Sequence, residues 1–555
     1  MWQMEQQLFV IGIILALVVI ISGLESWNRV QLRKRVRNEW GRPPRQARFG
    51  DKEESLKAAW QLMKKAQPTD AEIDDLTWYD LKMWEVFQQI SATYSSVGSE
   101  ALYYRLRNYD FSSKQLTRLE QLMNYYSQHP QVREELHYQF ARLGKKDNNY
   151  VQDYLMNSEH RKLGQLPFYI LCGCLPIVGI LLLVLGQMVG IFVLLASVLF
   201  NAVYYQTKKA RLERELASMG YLVQTVAAAK RISKSQTPFQ AELQQNLRPI
   251  QSITKFAFSF QAKTGTDMEW VMDYLNMIFM LPFISYHFVL SKIQHHQSEA
   301  YALWQLLGEL EVGIAVLNYR QFMPDWSQPT FTKAMTMQGI EAYHPLVSEA
   351  VANPVLWRRN TLVTGSNASG KSTYVKSVAI NALLAQTINT ALCLELQLPH
   401  SQILTSMAIE DDVLAGDSYF IAEIKSLKRI LTALAQGKPC LCFIDEILKG
   451  TNTIERIAAS AAFIDDLKTQ PVLAFVATHD IELTEILKHS CDNVHFEEQV
   501  DDAGVHFDYL LKEGPATSRN AIRLLEVLQF PKAMTAKATA EAEDFENQKQ
   551  WRVFP

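Results

Sequence analysis

The chain has 555 residues, 48% of them hydrophobic, and a formal net charge of −3, enough for two or three domains with apolar segments beside an ordinary soluble remainder. So small a charge excludes a global basic field of the kind that draws proteins onto nucleic acid. Six cysteines without metal-ligand or framework spacing exclude a disulfide scaffold and a cysteine-based metal site.

In chain order, the first element is the uncharged run Leu8–Leu24, which as a helix rises about 25 Å, close to the thickness of a bilayer core. Glu5 and no Lys or Arg precede it, and no small-residue cleavage pattern follows, so it reads as an uncleaved anchor and not as a signal peptide. Arg29, Arg33, Lys34, Arg35, Arg37, Arg42, Arg45 and Arg48 follow, with Glu39 the one acid between them. Topology accounts for that cluster by the positive-inside rule, with lipid headgroups and DNA as the alternative occupants. Gly41–Pro44 is the candidate flexible joint.

Apolar and aromatic residues recur every three or four positions across 75–126, the period of long packed helices. The Tyr and Phe stripe is read as core and not as a base-stacking platform. A second charge-free stretch, 163–207, is too long for one span and right for two joined at Gly186–Gly190. Arg161 and Lys162 before it, and Lys208, Lys209, Arg211 and Arg214 after it, put both of its ends in the cytoplasm. The expectation is a multi-pass protein of the cell membrane with three transmembrane helices, its N-terminus outside, residues 25–165 in the cytoplasm, and everything from about 206 onward, the ATPase domain included, in the cytoplasm as well. Residues 206–330 are helical by pattern, 235–256 being amphipathic.

The stretch TGSNASGKST, 364–373, satisfies G-x-x-x-x-G-K-[ST] with Gly365, Gly370, Lys371 and Ser372. Small residues in that pattern let backbone N–H groups close around phosphates, the lysine reaches the outer phosphates and the hydroxyl holds Mg²⁺. A short β-branched run before it and helical spacing after it supply the strand and helix the motif requires. The expected ATP contacts are Gly365, Ser366, Asn367, Ala368, Ser369, Gly370, Lys371, Ser372 and Thr373. Downstream, the apolar run 440–444 delivers Asp445 and Glu446 to a strand end. There one acid, with Ser372, is expected to hold the metal and the other to orient or deprotonate the attacking water. Adjacent strand residues point to opposite faces, which suits that division. A third apolar run ends in Thr478 and His479, where the histidine is expected to sense the terminal phosphate.

The order of HPLV (344–347), TGSNASGKSTY, EDDVLAGDSYFIAEI (410–424), FIDEILKGTNT and FVATHDIELT is similar to the ATPase domain of the MutS family, the DNA mismatch-repair ATPases, over about 340–535. The middle segment is the most specific, because Asp411, Asp412, Gly416, Ser418, Phe420 and Glu423 fall on D-D-x-x-x-G-x-S-x-F-x-x-E. The resemblance implies an α/β P-loop NTPase fold. It also implies a homodimer through the ATPase domains in which Ser418 contacts the γ-phosphate held by the other subunit, with ATP and Mg²⁺ as cofactors. Ser366 and Ala368-Ser369 stand where the family usually has Pro and Gly-Gly, and Leu448-Lys449 where Gly-Arg is usual; neither change removes a phosphate or metal ligand. The region 75–126, with Thr93, Gly98 and Leu102, resembles the start of the family's helical core, and 513–534 its terminal segment.

The expected layout is an anchor (1–25), a first part of an all-α core (26–160), a transmembrane hairpin (163–207), a second part of the core (208–335), the ATPase domain (340–535) and a tail (536–555). No mismatch-recognition domain is expected, since only the anchor and basic tether precede the core. The functional expectation is a membrane-anchored, Mg²⁺-dependent ATPase working as a dimeric switch. Any DNA binding inherited from the family is expected to be weak and without preference for a mispair. The alternative is a switch acting on a protein or membrane partner without DNA; a transporter is disfavoured, with no charge inside the hairpin to line a path.

Overall fold

The structure is a computed structural model that describes residues 23–551 apart from 25, 46–51, 67–68, 70, 147–148, 159–160, 162–164, 261–266, 367–368, 408–418, 502–503, 517–521, 523–524, 527–528 and 549. The first expected span, Leu8–Leu24, lies outside the described residues save its last two positions. The chain forms two interleaved units. One comprises 1–69, 87–105 and 117–322, the other 70–86, 106–116 and 323–555. The helical region expected over 75–126 is thus shared between the two.

The first unit is helical. The helix Ser96–Arg107 (α1), of which the residues to Arg105 belong here, begins against the Glu311 carboxylate, which accepts from the Tyr94 N–H at 2.6 Å, the Ser95 N–H at 3.1 Å and the Ser95 hydroxyl. Ser95 is the N-cap, its Oγ accepting from the Gly98 N–H at 3.1 Å, and the carboxylate adds negative charge at the positive end of the helix. The apolar stretch expected to form a hairpin gives Leu166–Val184 (α2) and Val189–Arg211 (α3). Their outward faces carry Val184, Phe192, Leu195 and Leu199, all more than 60% exposed, while the polar Ser197 and Asn201 are buried. This arrangement, apolar outward and polar inward, reverses that of a water-soluble helix pair.

Glu213–Ile232 (α4) follows, with Glu213 and Glu215 in its first turn and Lys230 and Arg231 in its last, signs that complement the helix dipole. Then come Asp267–Phe279 (α5), Leu281–His295 (α6) and Gln297–Phe322 (α7). Among the described residues, α2, α3 and α7 are long and apolar enough to cross a membrane, but 72% of the most apolar stretch of α7 is buried. Leu303, Leu306, Leu307, Leu310 and Ile314 of α7 pack in one core with Tyr221, Leu222 and Val226 of α4, so α7 is a core helix.

The second unit is built on a six-stranded sheet. In chain order its elements are Thr361–Thr364 (β1), Lys371–Ile388 (α8), Gln402–Ser406 (β2), Tyr419–Leu434 (α9), Cys440–Asp445 (β3), Thr453–Leu467 (α10), Val472–Ala477 (β4), Asp492–His495 (β5) and Lys512–Glu513 (β6). The spatial order is β6-β5-β1-β4-β3-β2, all pairs parallel except β5 with β6. β1 and β4 are buried at every position and β3 at all but its last. That is why their sequences are continuous apolar runs, as strands covered on both faces require. Leu362, Cys442, Ile444 and Val476 form one side of the core with Ile430 of α9 and Ile464 of α10. Trp357, Phe443 and Phe475 lie together elsewhere, with Trp357 4.2 Å from Phe475 between ring centroids. The same unit holds a smaller four-stranded sheet of Thr330–Thr332, Met337–Ala342, Asn353–Trp357 and Glu395–Pro399, and two strand pairs, Ala71–Glu72 with Asn108–Tyr109 and Glu498–Asp501 with Gly504–Phe507. A last helix, Lys532–Gln548 (α11), runs through the expected boundary at 535.

Candidate functional site

Register puts the C-terminal ends of three neighbouring strands side by side, Ala477 of β4 pairing with both Val363 of β1 and Asp445 of β3. Ligands of parallel α/β sheets bind at this edge, where the connecting loops diverge. The loop after β1 passes through Gly365 at φ 143° and Gly370 at φ 107° before opening α8. A Cβ on Gly365 would stand 2.5 Å from the Phe496 carbonyl, so the turn admits no other residue without moving the chain just after β5. Asn367 and Ala368 lie outside the described residues.

Lys371, the first residue of α8, is buried and donates from Nζ to the carbonyls of Gly365 at 2.7 Å and Ser366 at 2.6 Å. Burial pushes its pKa down to about 8, against the pull of Asp445, Glu446 and Glu498. Ser366 donates to the Glu498 carboxylate at 2.5 Å. Ser369 is buried, while Ser372 and Thr373 are exposed.

At the end of β3 the two acids part company. Asp445 accepts a hydrogen bond from the Ser372 hydroxyl, and its Oδ1 is buried with no hydrogen-bond partner. Burial raises its pKa above the usual carboxylate value despite Ser372 and Lys371. One carboxylate with an orphaned oxygen beside one hydroxyl fits a hard cation that keeps most of its own water or phosphate ligands, as Mg²⁺ does. Among the described residues no group of three or more His, Cys, Asp and Glu could hold a metal by itself.

Glu446 turns the other way. Its φ is 58°, and Leu448 follows at 55°, two non-glycine residues in the left-handed region, a form of strain that clusters at functional sites. The Glu446 N–H donates to the Ala477 carbonyl at 2.9 Å, and the buried Glu423 of α9 holds the turn by accepting from the N–H groups of Lys449 and Gly450, both at 3.1 Å. The Glu446 carboxylate receives His479 Nε2 at 3.0 Å on Oε1 and Lys449 Nζ on Oε2. Burial opposes its ionisation, but Lys449 and His479 outweigh burial and hold it below the usual range.

Around these groups opens a cavity of about 460 Å³, a size typical of small-molecule sites, lined by Lys371, Ser372, Glu446 and His479 at one end and by His344, Val347, Val351 and Tyr509 elsewhere. The Asn353 side chain fixes the Tyr509 segment, donating to the Tyr509 carbonyl at 2.9 Å and accepting from the Leu511 N–H at 2.7 Å. Burial, with Lys376 and Lys82 adding to it, pushes His344 down to about 4, so it is neutral.

Residues 361–546 match the family model of MutS domain V. That segment is a MutS-type domain V. The chain is 31% identical over 233 residues to the DNA mismatch repair protein MutS of Listeria monocytogenes serotype 4a, covering 40% of this chain and 27% of that protein. It is 27% identical over 241 residues to a protein of the same name from Thermus thermophilus, covering 42% and 29%, and 29% identical over 235 residues to that of Staphylococcus aureus strain JH9, covering 40% and 27%. The matched part therefore spans under a third of the length of these MutS relatives.

Of the residues singled out in the sequence, Gly365, Ser366, Ser369, Gly370, Lys371, Ser372, Thr373, Asp445, Glu446 and His479 come together at one strand edge. Ser418, with the MutS-like segment 408–418, lies outside the described residues. Sequence reasoning named Lys449 only as a departure from the usual MutS residue and missed its pairing with Glu446. The spacing of three from Glu446 was the available signal. Tyr509 carried none, since only the fold brings it to the cavity.

Proposed function

We propose that this chain is a membrane-anchored, Mg²⁺-dependent ATPase of the MutS family. In this reading the 365–373 loop and the N-terminus of α8 cradle the phosphates, and the Lys371 amine exchanges its loop carbonyls for phosphate oxygens. Ser372 and Asp445 hold Mg²⁺, which when bound offsets charge on the phosphates. Glu446, kept ionised by Lys449 and oriented by His479, positions the attacking water and accepts its proton. His479 reports the terminal phosphate to the strand edge. Val347, Val351 and Tyr509 offer apolar surface to the adenine.

The observation that carries this reading is the separation of the two neighbouring acids. Asp445 meets the hydroxyl of the phosphate loop while Glu446 meets a histidine and a lysine within the same cavity edge. Membrane anchoring is supported by the outward apolar faces of α2 and α3 and by their basic flanks. The working unit is a homodimer in which Ser418 completes the partner's site. The ATPase cycle switches the helical unit between two shapes. DNA contact, if made, rests on phosphates alone, is strongly salt-dependent and does not discriminate a mispair.

The test is equilibrium binding on the full chain in detergent or nanodiscs. ATP should bind the wild type and not Lys371→Ala, and a matched duplex and the same duplex with one mispair should bind equally at two salt concentrations. Retained ATP binding in Lys371→Ala would remove the cradle from its role. Tighter binding to the mispair that survives the higher salt would restore mismatch sensing.

A further inference from the structure

Two prolines leave two carbonyls without their helical donors, and one side chain serves both. Pro176 lies inside α2 and has no N–H to give to the carbonyl of Cys172, four residues back. Pro282, in the first turn of α6, likewise has none for Ile278, and α5 and α6 meet there at a 74° bend with Met280 in the left-handed region. The Asn201 amide of α3 donates to the Cys172 carbonyl at 2.7 Å and to the Ile278 carbonyl at 2.7 Å, and Asn201 is completely buried. Gly173 allows the approach, because a Cβ there would stand 2.5 Å from the Phe279 carbonyl. In water such carbonyls would be solvated without help. Within a bilayer they must find a protein donor.

We propose that α5 and α6 form a re-entrant element that dips into the bilayer beside the α2–α3 hairpin, with Asn201 as its polar staple; this rests on the hairpin being membrane-embedded. Three contacts fix the depth. Asp273 of α5 stands 3.9 Å from Lys209, at the basic end of α3. Phe283 of α6 packs on Tyr205 and Tyr169, with centroids 5.5 and 5.2 Å away. Ile278 meets Asn201, seven residues into α3 from Lys208 and so about 10 Å deeper, roughly a third of the hydrocarbon core. Helix α5 therefore descends alongside α3 from the charged boundary, turns at Met280 and returns as α6. It does not cross, because α4 before it and α7 after it share one core, Tyr221 and Trp304 lying 6.1 Å apart between ring centroids. The face of α5 turned from the hairpin carries Val271, Tyr274 and Leu275, and α6 exposes Phe288, all apolar or amphipathic side chains suited to acyl chains and the interface.

The test uses the full chain in lipid nanodiscs with Cys174→Ser, which leaves five cysteines, all buried. Nitroxide labels are placed singly at Phe192→Cys on the hairpin, at Leu275→Cys and Ile278→Cys on α5, and at Ile454→Cys on exposed α10 as an aqueous reference. Collision with oxygen should dominate over collision with a nickel chelate at 192, 275 and 278, increasingly from 275 to 278, and the reverse should hold at 454. Oxygen dominance at 192 with nickel dominance at 275 and 278 would overturn the re-entrant element and leave the hairpin in the membrane. Nickel dominance at all positions would overturn the membrane reading itself. In Asn201→Leu, nickel access should rise at 278 and stay unchanged at 192; unchanged access at 278 would remove Asn201 as the staple.

Discussion

Binding of a triphosphate at the Lys371 loop should take up a proton above neutral pH. Burial pushes the pKa of this amine down from 10.5 to about 8, and Asp445, Glu446 and Glu498 offset that only in part. Phosphate oxygens supply full negative charge at hydrogen-bond range and return the amine to its ordinary range. Well below pH 8 the free amine is mostly charged and little is taken up, whereas above it binding must first protonate the lysine. Uptake should be about 0.1 proton at pH 7, about 0.5 at pH 8 and about 0.9 at pH 9, with affinity falling about tenfold from pH 7 to pH 9. Titration calorimetry of a non-hydrolysable ATP analogue with Mg²⁺, in pairs of buffers with different ionisation heats, measures the uptake. Lys371→Arg, charged throughout, should show none. Zero uptake at pH 9 with undiminished affinity in the wild type would refute the argument that burial sets this lysine's charge.

Lys449→Ala removes the ion pair that helps hold Glu446 below the usual carboxylate range. The acid limb of its ATPase pH profile should therefore move to higher pH, with nucleotide affinity unchanged. Glu311, fully buried against the start of α1, has its pKa raised by burial to about 7, so its stabilising effect is complete below the unfolded value near 4.5 and is lost as pH rises through 7. Glu311→Gln, which cannot titrate, should gain in melting temperature relative to wild type between pH 5 and pH 8 by thermal unfolding in detergent. If Ser418 completes the partner's site, ATP should promote dimerisation by light scattering or sedimentation. A mixture of Lys371→Ala and Ser418→Ala chains should then form at most one competent site per dimer.

The phosphate loop was legible because its chemistry permits few residues: glycine at Gly365 and Gly370, one lysine, one hydroxyl, each at a fixed step from a strand. The two helices of the hairpin were legible because a charge-free run of that length is too long for one helix of about twenty residues and fits two. Glu446 was expected to act on water, but its left-handed backbone and its grip by Lys449 and Glu423 were not, since they depend on the turn that follows β3 and on a helix twenty residues upstream. The α5–α6 elbow reads as ordinary helix because Asp267, Glu269 and Asp273 mask its apolar face in the sequence. Asn201 likewise looks like one polar residue in an apolar run until the prolines of two other helices are brought against it. The division of 75–126 between the two units was equally hidden. It rests on distant pairings, such as Asp80 accepting from the Thr405 hydroxyl at 2.7 Å and the Met407 N–H at 3.1 Å, that no local periodicity encodes.

The most direct measurement is steady-state ATP hydrolysis by the purified full chain, with and without Mg²⁺, for the wild type and Glu446→Gln, alongside ATP binding by each. The account predicts Mg²⁺-dependent turnover in the wild type. In Glu446→Gln it predicts binding retained and turnover reduced on the order of 10²–10⁴-fold, the usual contribution of a positioned general base. Turnover undiminished in Glu446→Gln, or hydrolysis indifferent to Mg²⁺, would contradict it.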